Sequence, residues 1–117
     1  MKIILVAAAL VLLVLPLASA FELVGANLPD STYRGYDFAT HVTLASDIPD
    51  WHATVVIPEL GIVERSRDLD ETRNANVFMS LPYNIMPGEY LVRVQVVQQH
   101  GDEPPERHFV HRWMYVE

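Results

Sequence analysis

The sequence contains no cysteine, and its single lysine is Lys2. The lack of cysteine excludes disulfides, thiol catalysis and zinc sites built on thiolates. After residue 20 the chain has seven arginines against fifteen acidic residues, a side-chain balance of −8 with histidine neutral. Because a charge of this sign repels phosphates, neither nucleic acid nor an anionic membrane surface is an expected partner.

Residues 1–20 contain the three parts of a secretory signal peptide. Lys2 precedes an apolar run from Ile3 to Leu15, and Ala18 and Ala20 are the small residues at the −3 and −1 positions. The run is shorter than the roughly 20 residues that a membrane-spanning helix needs. We therefore expect cleavage after Ala20, with an uncleaved N-terminal anchor as the alternative.

Cleavage at that point implies export without a stable membrane anchor. The remaining part is expected to be secreted, extracellular or at the cell surface, or in the periplasm where the source has one. Residues 21–117 number 97, which suits one domain of immunoglobulin-like size.

Helical periodicity is weak after residue 20, whereas apolar and polar residues alternate clearly in several segments. Proline and glycine separate these segments, which is typical of strands joined by turns. The pattern predicts an all-β fold, an antiparallel sandwich of about seven strands. The predicted strands are residues 22–28, 37–45, 51–57, 61–65, 75–81, 90–98 and 107–116.

The first predicted strand places Val24, Ala26 and Leu28 on one face. The fourth is expected at a sheet edge, and Phe78 in the fifth is expected to point outward. The segments between strands are predicted as loops, namely residues 46–50, 66–73, 82–88 and 100–105.

The segment from Pro87 to Val94 carries a resemblance to a known fold. Gly88 is followed two residues later by Tyr90, and Val92 comes two residues after that. This spacing resembles the tyrosine corner of immunoglobulin-like (Ig-like) domains, in which the phenol bonds to backbone upstream. Val92 stands where antibody domains keep their second cysteine, and Trp51 resembles their core tryptophan.

Residues 21–117 as a whole resemble the disulfide-free Ig-like domains, of the CARDB or fibronectin type III kind, of prokaryotic secreted and surface proteins. The missing cysteine pair excludes a true antibody-type domain. The resemblance implies a role in adhesion, spacing or assembly, and it does not identify a partner.

The last predicted strand carries a row of aromatic residues. Phe109, Trp113 and Tyr115 share one face at period 2, and His111 lies between them. Such rows bind proteins, peptides or sugars. Apolar residues alternate with the row on the opposite face, so the row is either a binding surface or part of the core.

No site for a metal or cofactor is expected. His108 and His111 are three apart and fall on opposite faces of a strand, whereas His41 and His52 can approach each other across the sheets. The acidic loop residues lack the glycine and spacing of an EF-hand and are interleaved with arginine. The weighed residues are His41, His52, His100, His108 and His111, and for calcium Asp68, Asp70 and Glu71.

Catalysis is not expected either, because there is no Gly-x-Ser-x-Gly elbow and a small sandwich offers little cleft for two carboxylates. The sequence predicts a non-enzymatic exported module that acts through protein–protein contacts, either with another protein or with itself as a surface-assembly subunit. The alternative is a module that binds carbohydrate or another ligand on its aromatic strand face.

Overall fold

The computed structural model describes residues 21–117, so the predicted signal peptide lies outside the described residues. Within them the chain forms eight strands and one short 3-10 turn, Pro58–Leu60, and no helix there is long and apolar enough to cross a membrane. The strands are β1 Leu23–Asn27, β2 Ser31–Thr32, β3 Asp37–Ile48, β4 Trp51–Ile57, β5 Ile62–Arg65, β6 Thr72–Ser80, β7 Gly88–His100 and β8 Glu103–Val116.

The strands form two sheets, which confirms the all-β prediction. One sheet has the order β1-β3-β6, and the other has the order β2-β8-β7-β4-β5. All neighbours are antiparallel except β2 and β8, which pair in parallel over two residues. The fourth predicted strand corresponds to β5 and lies at an edge, as expected.

The core lies between the two sheets and is built from alternate residues of the long strands. In β4 every second residue from Trp51 to Ile57 is buried, and β7 buries Tyr90, Val92, Val94 and Val96. Burial of this apolar surface drives folding, at about 25 cal/mol per Å². The same alternation leaves Phe78 of β6 exposed, as the sequence predicted.

Trp51 ties the two sheets together. Its indole is 1% exposed, and its Nε1 donates to the carbonyl of Thr72, the first residue of β6, at 2.9 Å. Its backbone N–H and carbonyl exchange hydrogen bonds with Leu69, at 3.0 and 2.7 Å. Trp51 is therefore the core residue that the sequence predicted, and it also fixes the long connection between β5 and β6.

Tyr90 makes the hydrogen bond that the resemblance implied. Its ring is buried, and its hydroxyl donates to the carbonyl of Met86, four residues upstream. Gly88 begins β7, and Val92 two residues beyond Tyr90 is fully buried. The hydrogen bond closes the connection before β7 against the start of that strand.

Apart from β2, which was not predicted, and β6, which begins at Thr72 inside the loop predicted over residues 66–73, three local predictions were wrong. Val24 was expected on the same face as Ala26, which is buried, but a bulge between Leu23 and Gly25 shifts the register and leaves Val24 exposed. Residues 46–50 were expected as a loop, but β3 continues to Ile48. The turn is then confined to two residues because Asp50 adopts a left-handed conformation, with φ of 56°.

The third error concerns the loop predicted over residues 100–105. β8 already begins at Glu103 and includes both Pro104 and Pro105. The two prolines are accommodated because the β7–β8 register shifts between Gln98 and His100, and β2 pairs with β8 only at its far end. Prolines are tolerated in strands at such bulges and open edges.

Candidate functional site

The outer face of the five-stranded sheet displays the aromatic row. Phe109 is 62% exposed, Trp113 is 61% exposed and Tyr115 is 43% exposed, whereas the neighbouring Met114 and Val116 are buried. Val110 is half-buried and packs against the core. The question left open by the sequence is thereby answered, because the row lies on the surface and the opposite side of β8 faces inward.

Strand β7 continues this surface beside the row. Leu91 is paired with Trp113, Arg93 with His111 and Gln95 with Phe109. The Nε of Arg93 lies 3.3 Å from the Nε2 of His111, and the rings of His111 and Phe109 meet edge to face at 5.7 Å. Aromatic, apolar and cationic side chains are therefore interleaved on one continuous face.

Two further arginines flank the face near its other end. Arg107 precedes the row on the same side of β8, and Arg65 lies opposite Thr54 at the edge strand β5. Both are close enough to His52 to affect its charge. Partial burial lowers the pKa of His52 below its ordinary value of 6.5, and the positive charges of Arg65 and Arg107 lower it further, against the opposite effect of Asp68.

We call this surface the basic-aromatic face. Among its acidic residues, Asp68 is paired with Arg65, and Glu89 lies opposite Tyr115 at one end of the face. Sequence reasoning found the aromatic row but missed the arginines, because their common position depends on the pairing of β8, β7, β4 and β5. The face is defined by Arg65, Arg93, Arg107, Phe109, His111, Trp113 and Tyr115.

The lowered pKa of His52 predicts a pH dependence of stability. When the pKa is lower in the folded state, the unfolded chain binds the proton more readily as the pH falls through 6.5. The free energy of unfolding should therefore decrease below that pH and level off below the folded-state pKa.

Urea unfolding between pH 5.5 and 7.5, together with an NMR titration of the histidines, measures this effect. In the variant His52→Gln, the free energy of unfolding should depend less steeply on pH than in the parent. His41→Gln is the matched control on the other sheet. If the free energy of unfolding of His52→Gln depended on pH as it does in the parent, His52 would not be the source of the pH dependence.

The histidines are dispersed over the molecule. His41 and His52 were expected to be able to approach each other, but they lie on the outer faces of different sheets, and His41 contacts Asn76 of its own sheet. Both side chains point away from the core, so they cannot approach each other across it. Residues 21–117 contain no group of three or more His, Cys, Asp or Glu arranged to hold a metal ion.

His108 and His111 lie on opposite sides of β8, as predicted. The ring of His108 meets Phe21 edge to face, with centroids 4.4 Å apart, and its Nε2 lies 3.4 Å from the carboxylate of Glu106. Its surroundings are those of a packing residue at the seam between β1 and β8. Phe21 itself is buried in the core.

Two of the three loop acids considered for calcium contact other protein groups. Asp68 pairs with the guanidinium of Arg65, and Asp70 accepts the backbone N–H of Asp50 at 3.2 Å. These contacts fix the connection after β5 and are typical of a solvated charged loop.

A second aromatic cluster, which the sequence reading missed, lies at the end of the sandwich where β2 and the β6–β7 connection meet. Tyr33, Tyr36 and Tyr83 line a cleft of about 460 Å³ with Arg34 and Glu117. We call it the tyrosine cleft. Its tyrosines lie in connecting segments, so no strand periodicity indicated that they would converge.

No protein-family model matches the chain. A search of curated proteins finds no similar sequence.

Proposed function

We propose that this chain is an exported, non-enzymatic module of the Ig-like kind that acts through protein–protein contacts on its basic-aromatic face. Export rests on the signal-peptide pattern of residues 1–20. In the Ig fold strands A, B and E share one sheet, and strands C, F and G share the other. The placing of β1, β3 and β6 in one sheet and of β4, β7 and β8 in the other supports the Ig-like assignment, as does the hydrogen bond of Tyr90.

The observation that carries the protein-contact proposal is the exposure of the aromatic row among arginines. Trp113 and Phe109 are both more than half exposed on the outer face of the sheet. Aromatic residues and arginine are enriched at protein interfaces and at their energetic centres. An isolated exposed aromatic residue needs no explanation, but a row flanked by cations on one face is typical of an interface.

Charge favours an acidic partner surface, and a second copy of this chain offers one. The chain after residue 20 has a balance of −8, while the basic-aromatic face holds three of its seven arginines. The rest of the surface is correspondingly acidic. A contact between this face and the acidic surface of another copy is heterologous, and such contacts generate rings or filaments.

The open sheet edges provide a second route of contact. β2 pairs with β8 only at Tyr115 and Val116, so within the described residues the edge of β8 before Trp113 has no paired strand. β1 forms an edge of the three-stranded sheet. An unpaired edge can accept a strand from a partner through backbone hydrogen bonds.

Self-association is tested by light scattering of residues 21–117 over a range of concentrations and salt, with electron microscopy of the same samples. We expect mass to rise with concentration and to fall with salt, because screening weakens charge attraction. Trp113→Ala should shift the association to higher concentration. Phe78→Ala is the matched control, since Phe78 is 74% exposed on the outer face of the other sheet. A monomer under all conditions would overturn self-association.

The alternative function, carbohydrate binding on the aromatic row, is distinguished by tryptophan fluorescence. Trp113 is exposed and Trp51 is buried, so a ligand on the row changes the emission of Trp113. Sugar binding there requires added sugar and saturates with it. Self-association instead changes the emission with protein concentration alone.

A further inference from the structure

The tyrosine cleft is an open cleft lined by three exposed tyrosine rings. Tyr33 is 53% exposed, Tyr36 is 59% exposed and Tyr83 is 82% exposed. Tyrosine rings contribute large rigid contact area at little cost in conformational entropy. Three of them line one cleft together with a guanidinium and a carboxylate.

Backbone hydrogen bonds hold the loop that carries Tyr33 and Tyr36. The N–H of Arg34 donates to the carbonyl of Glu117 at 3.1 Å, and the N–H of Gly35 donates to the carbonyl of Pro82 at 3.2 Å. The carbonyl of Tyr36 accepts the N–H of Leu81 at 3.0 Å. The loop is thus fixed to β8 and to the β6–β7 connection, so little ordering remains to be done on binding.

Gly35 is required for the position of Tyr83. Its φ is 78°, and a Cβ added there would lie 2.9 Å from the Cδ2 of Tyr83. The ring of Tyr83 therefore lies against the bare backbone of Gly35, beside the Tyr33–Tyr36 pair, whose ring centroids are 5.2 Å apart. Gly35 has no side chain, and the ring of Tyr83 occupies the space that a side chain there would fill.

The polar groups of the cleft indicate the class of ligand. Arg34 only donates hydrogen bonds, the carboxylate of Glu117 only accepts them, and the phenols do both. A hydrogen bond with Glu117 and the negative charge of that residue raise the pKa of Tyr33 above its ordinary value. A ligand rich in hydroxyl groups both donates to the carboxylate and accepts from the guanidinium, whereas a run of consecutive prolines has no N–H to offer the carboxylate.

We propose that the tyrosine cleft binds an uncharged oligosaccharide, whose apolar ring faces lie on Tyr36 and Tyr83 and whose hydroxyls bond to Arg34 and Glu117. The carboxylate and the net charge of the chain disfavour an anionic sugar. The residues that line the cleft are different from those that define the basic-aromatic face, so the proposal does not depend on the function proposed for that face.

The test is an NMR titration of residues 21–117 with neutral oligosaccharides of glucose, mannose and N-acetylglucosamine at millimolar concentration, and with a polyproline peptide. Saturable shifts at Tyr33, Tyr36 and Tyr83 are expected with at least one sugar. Tyr83→Ala should weaken that binding about tenfold, which corresponds to 1.4 kcal/mol. Because Tyr83 is so exposed, this variant should unfold at the same urea concentration as the parent.

Trp113→Ala is the matched control and should bind the sugar as the parent does. Binding that Trp113→Ala abolishes and Tyr83→Ala leaves intact would overturn the proposal and place the sugar on the aromatic row. Absence of shifts at the cleft with every sugar would overturn it as well. Binding of polyproline alone would overturn the assigned ligand class.

Discussion

Replacing Trp51 by alanine is expected to lower the free energy of unfolding by about 3–5 kcal/mol, the range for a large aromatic residue removed from a core. The indole is almost fully buried, and its hydrogen bond to the carbonyl of Thr72 joins the two sheets. A domain of this size has only about 5–15 kcal/mol of total stability. The variant should therefore lose a large share of its stability, as measured by urea titration.

Trp51→Phe separates the hydrogen bond from the packing. Phenylalanine keeps most of the apolar volume but leaves the Thr72 carbonyl without its donor, which costs about 1–3 kcal/mol where that carbonyl stays dry. Trp113→Ala is the internal control because it removes the second tryptophan from the surface. Trp113→Ala should lower the free energy of unfolding by less than about 1 kcal/mol, mainly because the cross-strand contact with Leu91 is lost. Equal losses at the two tryptophans would contradict the placement of both.

The core could be predicted from the sequence because strand alternation is a local property. Trp51 and Val92 follow a period of two that is visible in one segment at a time, and the buried residues of β4 and β7 agree with it. The predictions were wrong where a local irregularity breaks that period. The bulge beside Val24 is one case, and the prolines at the start of β8 are another.

The candidate sites could be predicted only in part, because they depend on contacts between distant segments. The aromatic row lies on one strand and was visible, but whether it faces inward depends on how β8 is placed in its sheet. Arg65 and Arg93 join the row only through the pairing of three further strands. Tyr33 and Tyr83 meet through backbone hydrogen bonds between a loop and a connection, and no sequence period marks such contacts.

The position of Phe21 links the predicted export of the chain to its stability. Cleavage after Ala20 makes Phe21 the first residue, and terminal residues usually fray unless they are tied down. Here the ring is buried and packs on His108, and the next residue, Glu22, accepts the N–H of Ala45 at 2.9 Å. The first residue left by the predicted cleavage is therefore part of the core.

Phe21→Ala in residues 21–117 is accordingly expected to lower the free energy of unfolding by about 3 kcal/mol, the low end for a buried phenylalanine, since a chain end can relax into the space. A chain that begins at Glu22 should have its free energy of unfolding lowered by a similar amount. Val24→Ala is the matched control, because Val24 is exposed on the same strand and should cost about 0.5 kcal/mol or less. N-terminal sequencing of the exported protein shows which form is made. A mature chain that begins beyond Phe21 yet unfolds at the same urea concentration would contradict the role of Phe21, because the sandwich would then close without its ring.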